Sequence, residues 1–134
     1  MFGSLDISAS ALVAQRTRLT AISANMAMQG AAVDPNANLD NYRARIPILA
    51  PGDPTTGTKL GVHVKDIRLS QTPFNMVLDP KHDFADERGY VRYPDIDSAM
   101  EMVNALDAAR AYEANITAAE ATKNMMQVSV RLLA

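Results

Sequence analysis

The chain has 134 residues, with 13 lysines and arginines against 15 aspartates and glutamates, no cysteine, no tryptophan and few aromatics. That length holds one domain at most, and a slightly acidic chain without a basic block has no electrostatic footprint for nucleic acid or an anionic membrane surface. Lack of cysteine excludes disulfide scaffolds, thiolate metal sites and cysteine nucleophiles, and no stretch approaches the roughly 18 consecutive apolar residues of a membrane span.

The first residues, Met1 to Asp6, hold no positive cluster, and Ser8, Ser10, Gln15 and Arg16 interrupt the apolar positions that follow. This is not the pattern of a cleavable secretory signal. Leu5, Leu12, Leu19 and Met26 recur every seven residues, with Ala9, Ile22 and Ser23 at the alternate offsets. The spacing predicts an amphipathic helix within residues 1–30, capped by Ser4 and ended by a left-handed Gly30.

From residue 31 to 95 the period falls from seven to two, and Pro, Gly and Asp recur. Tyr42 to Leu49 reads as an extended segment placed at a sheet edge by Pro47. Pro51 to Gly57 reads as a turn or loop. Leu60, Val62 and Val64 alternate with Gly61, His63 and Lys65, the pattern of a half-buried strand. Phe74 to Leu78 and Tyr90 to Tyr93 are further short apolar runs, so this middle is expected to form a small antiparallel β element.

Residues 96–134 are expected to form one long helix. Ser98 and Glu101 have the spacing of a capping box, preceded by Pro94, Asp95 and Asp97. Two rows then repeat in sevens: Met102, Ala109, Ile116, Lys123 and Val130, and Ala105, Tyr112, Ala119, Met126 and Leu133. Only Lys123 breaks them, and a seven-residue repeat predicts a left-handed supercoil with a partner helix. Tyr112 carries a hydroxyl that needs a partner, and Asn115 is close enough along the helix to join it in a polar network. Arg110 is spaced to pair with Asp107 or Glu113.

The expected fold class is therefore α+β: long N- and C-terminal helices forming a coiled-coil-like pair or bundle, with a small antiparallel β element between them. Both apolar stripes are rich in alanine and bury little area in any single pairing. They must pair within the chain or pack among several copies.

Catalytic chemistry is hard to find. Asp79, His82, Asp83 and Asp86 are the nearest thing to a metal cluster, but their spacing matches no recognised loop and reads as a solvated polar turn. His63 lies on the polar side of a strand. No phosphate loop, nucleophile elbow or paired helical histidines occur, so the expectation is no enzyme, no cofactor and no metal. Met100, Met102, Met125 and Met126 read as adaptable packing residues.

Ser10, Ala11, Leu12, Ala14, Gln15, Arg18, Leu19, Asn25 and Ala27 resemble the amino-terminal signature of the bacterial flagellar rod and hook axial protein family. Glu101 to Asn104, Arg110 to Asn115, and Met125 with Met126 resemble its carboxy-terminal signature. Gly89 to Asp97 and the short middle, Leu60 to Asp86, resemble the proximal-rod members. Met28 stands where the family usually has a second Asn, and Pro80 to Asp83 where it usually has Pro, Gly, His, Pro.

The resemblance implies a structural subunit of the basal-body proximal rod, exported by the flagellar type III apparatus without a cleavable signal and assembled in the periplasm. Its implied partners are copies of itself, other rod subunits, MS-ring or rod-adaptor proteins at the base and the export apparatus, with no nucleic acid and no membrane insertion. The assembly interface would comprise Leu5, Leu12, Leu19 and Met26 on the first helix. On the last helix it would comprise Met102, Ala105, Ala109, Tyr112, Asn115, Ile116, Ala119, Met126, Val130 and Leu133. The other reading of the same stripes is a self-contained α+β adaptor whose terminal helices form an intramolecular hairpin.

Overall fold

The computed structural model describes residues 2–133. No proline interrupts α1 (Phe2–Met28), and alanine and leucine favour its helical state. The helix already includes Ser4, which lies in the first turn instead of capping it. At the other end the Ala31 N–H closes on the Met28 carbonyl at 3.0 Å. That turn ends α1 without a left-handed residue, and Gly30 is not among the positive-φ glycines.

The chain leaving α1 is tied down where the Val33 N–H donates to the Arg92 carbonyl at 2.9 Å. A single 3-10 turn (Leu39–Tyr42) follows. β1 (Arg45–Asp53) and β2 (Thr58–Leu69) then form an antiparallel hairpin. β3 (Asn75–Leu78) and β4 (Tyr90–Tyr93) form a second, separate antiparallel pair. The middle is thus two small sheets, and β3 is exposed along its whole length.

α2 (Ser98–Leu133) has 36 residues, so it is roughly 54 Å long against about 40 Å for α1 at about 1.5 Å per residue. Its cap is Asp97, whose Oδ1 accepts from the Ala99 N–H at 2.9 Å and the Met100 N–H at 3.3 Å. Ser98 is already helical, and Glu101 does not reach back as a capping box would. The two helices run antiparallel. Asn25 meets Glu101 at one end, and Ser4 lines a shared hollow with Thr122 and Ser129 at the other.

The buried apolar residues are small and few. Ala14, Ala21, Ile22 and Ala108 lie along the helices, while Val33, Val91 and Ile96 are buried where the chain leaves α1 and returns to α2. Small side chains at a helical contact let the axes approach closely. α1 is the hub, because it packs against α2, β1 and β2, whereas α2 has α1 as its one extensive neighbour among the described residues.

Candidate assembly surface

Asn25 stands at the junction of three elements. Its side chain is buried, with its Oδ1 accepting from the Arg45 N–H at 2.8 Å and its Nδ2 donating to the Arg45 carbonyl and to Glu101 Oε2, each at 3.0 Å. The Ser70 N–H donates to the Ala44 carbonyl at 2.8 Å. Alternation in an antiparallel ladder then turns Ile46 and Ile48 towards β2 and leaves the backbone groups of Arg45 and Pro47 pointing outward. The outer edge of β1 is closed by Asn25 at Arg45 and lacks a donor at Pro47.

A second latch joins α1 to β2. Ser10 Oγ donates to the Ile7 carbonyl at 2.7 Å and accepts from the Val62 N–H at 3.1 Å. Gly61, next to Val62, has φ +88°, and a Cβ there would fall 2.7 Å from Ser10 Oγ. Because the helix meets the strand at this point, the expected alternation is only partly realised. Val62 and Val64 are half-buried, but Leu60 is 63% exposed. His63 is also half-buried, with Nδ1 2.6 Å from the Gly52 carbonyl.

The face α2 turns to α1 consists of Glu101, Ala105, Ala108, Tyr112, Asn115, Ala119, Thr122, Met126 and Ser129, all buried or half-buried. One expected row, Ala105 to Met126, lies on this face. The other lies just outside it: Ala109 is half-buried, but Met102 is 62%, Ile116 38% and Val130 66% exposed. Lys123 is exposed as well. Leu133, at the tip, is 89% exposed. On α1, Leu5, Leu12 and Leu19 are half-buried and Met26 is exposed. The pairing within the chain therefore uses the smaller and more polar side of the heptad pattern. The larger apolar side chains are left outward.

An open apolar groove runs beside the helical contact, lined by Leu19, Ala99, Met102, Val103, Leu106 and Ala109. Tyr112 and Asn115 do not form the expected network, because Asn115 Nδ2 donates to the Ala111 carbonyl of its own helix at 2.7 Å. Among the described residues the ion pairs are Arg43 with Asp40 and Arg68 with Asp66, so Arg110 makes neither expected pair.

A family model described as flagellar basal body rod FlgEFG protein C-terminal matches residues 87–132, which contain β4 and nearly all of α2. The flagellar basal-body rod protein FlgC of Escherichia coli O6:H1 is 37% identical over 131 residues, covering 95% of this chain and 93% of that protein. The chain belongs to the FlgC family of flagellar basal-body rod proteins. FlgC of Bacillus subtilis strain 168 is 34% identical over 145 residues, covering 98% of this chain and 97% of its own length. FlgC of Borreliella burgdorferi is 31% identical over 150 residues, with 99% and 97% covered.

In this FlgC-family chain the loop between β3 and β4 directs its polar groups at its own backbone. Asp86 Oδ1 accepts from the Arg88 N–H at 2.9 Å and the Tyr90 N–H at 2.8 Å, and His82 Nδ1 accepts from the Phe84 N–H at 3.1 Å. The bond from Tyr90, above all, holds the Asp86 carboxyl below its ordinary range. Sequence reasoning placed Ser10, Asn25 and Glu101 within the FlgC-like signatures but missed what they do. Their partners lie between 20 and 76 residues away in the chain, beyond the reach of any local pattern.

Proposed function

We propose that this chain is a structural subunit of the proximal rod. Residues 1–30 and 96–134 are its assembly helices, and residues 31–95 lie outside the helical layer. Its role is mechanical: helices of neighbouring copies and of other rod subunits pack into a stiff tube that carries torque. Export through the flagellar type III apparatus, assembly in the periplasm and seating on proteins at the rod base belong to this reading. FlgC-family membership supports it.

The observation that carries the reading is the outward apolar row of α2. Pairing with α1 leaves Met102, Val103 and Leu106 exposed together near the start of α2, with Ile116 exposed further along and Val130 beyond Lys123, and exposed apolar side chains of this kind mark an interaction site. Leu5, Leu12, Leu19 and Met26, with Ala105, Ala109, Tyr112, Asn115, Ala119, Met126 and Leu133, complete the proposed interface.

Ile116→Asp tests it. The side chain is 38% exposed, so losing its covered part should cost the isolated chain about 1 to 2 kcal/mol and leave it folded. In the assembled rod the carboxylate would be buried without a partner, and basal bodies should fail to complete their rods. Complete rods at normal levels in electron micrographs would show that Ile116 does not lie at a subunit contact.

The adaptor reading has one observation in its favour, namely that α1 and α2 do pair within the chain. It requires that pairing to be an end state. A purified chain that stays monomeric at high concentration and in the presence of other rod subunits would favour the adaptor.

A further inference from the structure

At 2% exposure, Asn25 is one of the most buried side chains in the protein, and it lies three residues before the end of α1. Its carboxamide has two N–H donors. Both are used, one on the Arg45 carbonyl and one on Glu101 Oε2, while its oxygen takes the Arg45 N–H. The two bonds to Arg45 reproduce what a neighbouring strand would supply at the first residue of β1. The third reaches the first turn of α2.

Otherwise α2 and the hairpin share no extensive contact among the described residues. A groove lined by Ile22, Arg45, Ile46, Leu49, Glu101 and Asn104 lies between β1 and the start of α2, and Asn25 bonds to both Arg45 and Glu101 of that lining. Glu101 touches Asn25, and Asn25 touches the strand.

We infer that Asn25 is a positioning residue for assembly. It sets the direction in which the β1–β2 hairpin leaves the helical pair, and it relays to the hairpin any shift of the first turn of α2 against α1. The consequence for the rod rests on the function proposed above. The joint itself does not.

The relay makes an expectation that a local strand contact does not. Glu101→Ala removes a group that makes no hydrogen bond to β1 among the described residues, yet amide exchange at Arg45 in the full-length chain should quicken about five- to tenfold, the scale of one part-buried hydrogen bond. The Val62 amide, held by Ser10, and the amides of the middle of α2 should be unchanged. Ser10→Ala should do the reverse, freeing Val62 and sparing Arg45.

Asn25→Asp should also quicken Arg45 exchange: the carboxylate can still accept from the Arg45 N–H, but without a donor it is repelled by the Arg45 carbonyl and by Glu101 and should be pushed off that amide. Adding Glu101→Gln supplies an amide donor to the introduced carboxylate and should restore protection in part. In a host carrying the chain as its sole copy, Asn25→Asp should reduce rod completion, and the double substitution should recover it.

Arg45 exchange that ignores Glu101→Ala overturns the joint, and this arm stands even if Asn25→Asp fails to fold. Relayed exchange with undiminished rods overturns the role in assembly. If Ile116→Asp also leaves rods intact, the fault lies with the rod reading and not with the joint.

Discussion

Gly61 shows how one residue couples two elements. Its φ of +88° lies in the left-handed region, and the site of its missing Cβ is 2.7 Å from Ser10 Oγ. Gly61→Ala therefore adds backbone strain, of order 1 to 2 kcal/mol, and displaces the hydroxyl that holds the Val62 N–H. We expect a total loss of about 2 kcal/mol, read as a lower urea midpoint with an unchanged slope. Adding Ser10→Ala should relieve the collision but not the strain, so the double variant should recover little. In the sequence the glycine is one of the polar-side positions of the alternating strand, and nothing local marks it as the point where a helix touches that strand.

At the scale of the element, the hairpin tip depends on Asp53. Its carboxyl is held below the ordinary value of 3.8, first by the Thr55 hydroxyl, then by the Thr55 N–H and the Thr56 hydroxyl. A carboxyl depressed in the folded state contributes its full stabilisation above the unfolded value and loses it as pH falls through the folded one. The tip should stay ordered at neutral pH and loosen below pH 3.8. Amide exchange at Thr55, corrected for its intrinsic pH dependence, should report this, and Asp53→Asn should abolish the change. Turn composition located the tip from the sequence but drew it too wide, since Pro51 to Asp53 belong to β1. The cap of α2 was harder, because Asp97 and Ser98 are adjacent and either can cap. The choice fell to Asp97, leaving Glu101 for Asn25.

The whole molecule is organised around α1, which covers α2 on one side and latches both strands of the hairpin on the other. Deleting Met1 to Met28 should therefore cost more than one helix. It removes the extensive neighbour of α2 and the partners of the Arg45 and Val62 amides. The truncated chain should lose hairpin protection in hydrogen exchange, show less circular dichroism at 222 nm than α2 alone predicts, and fail to enter rods. Normal swimming by a strain with this truncation would count heavily against α1 as an assembly element.

By itself, the sequence determined two long terminal helices, a turn-rich β middle between them and the resemblance that leads to the rod. Helical period, turn chemistry and signature spacing are local, and they survive being read one residue at a time. Only the tertiary structure decided which side of each stripe turns inward. Counting large apolar residues favours Met102, Ile116 and Val130, but α1 packs against a face that includes Ala108, Asn115, Thr122 and Ser129, where small side chains let two backbones approach. The pairing of β1 with β2, and the closing of their edges by Asn25 and Ser10, were likewise decided in three dimensions. Each joins groups far apart in the chain, and whether a donor meets an acceptor depends on how whole surfaces fit together.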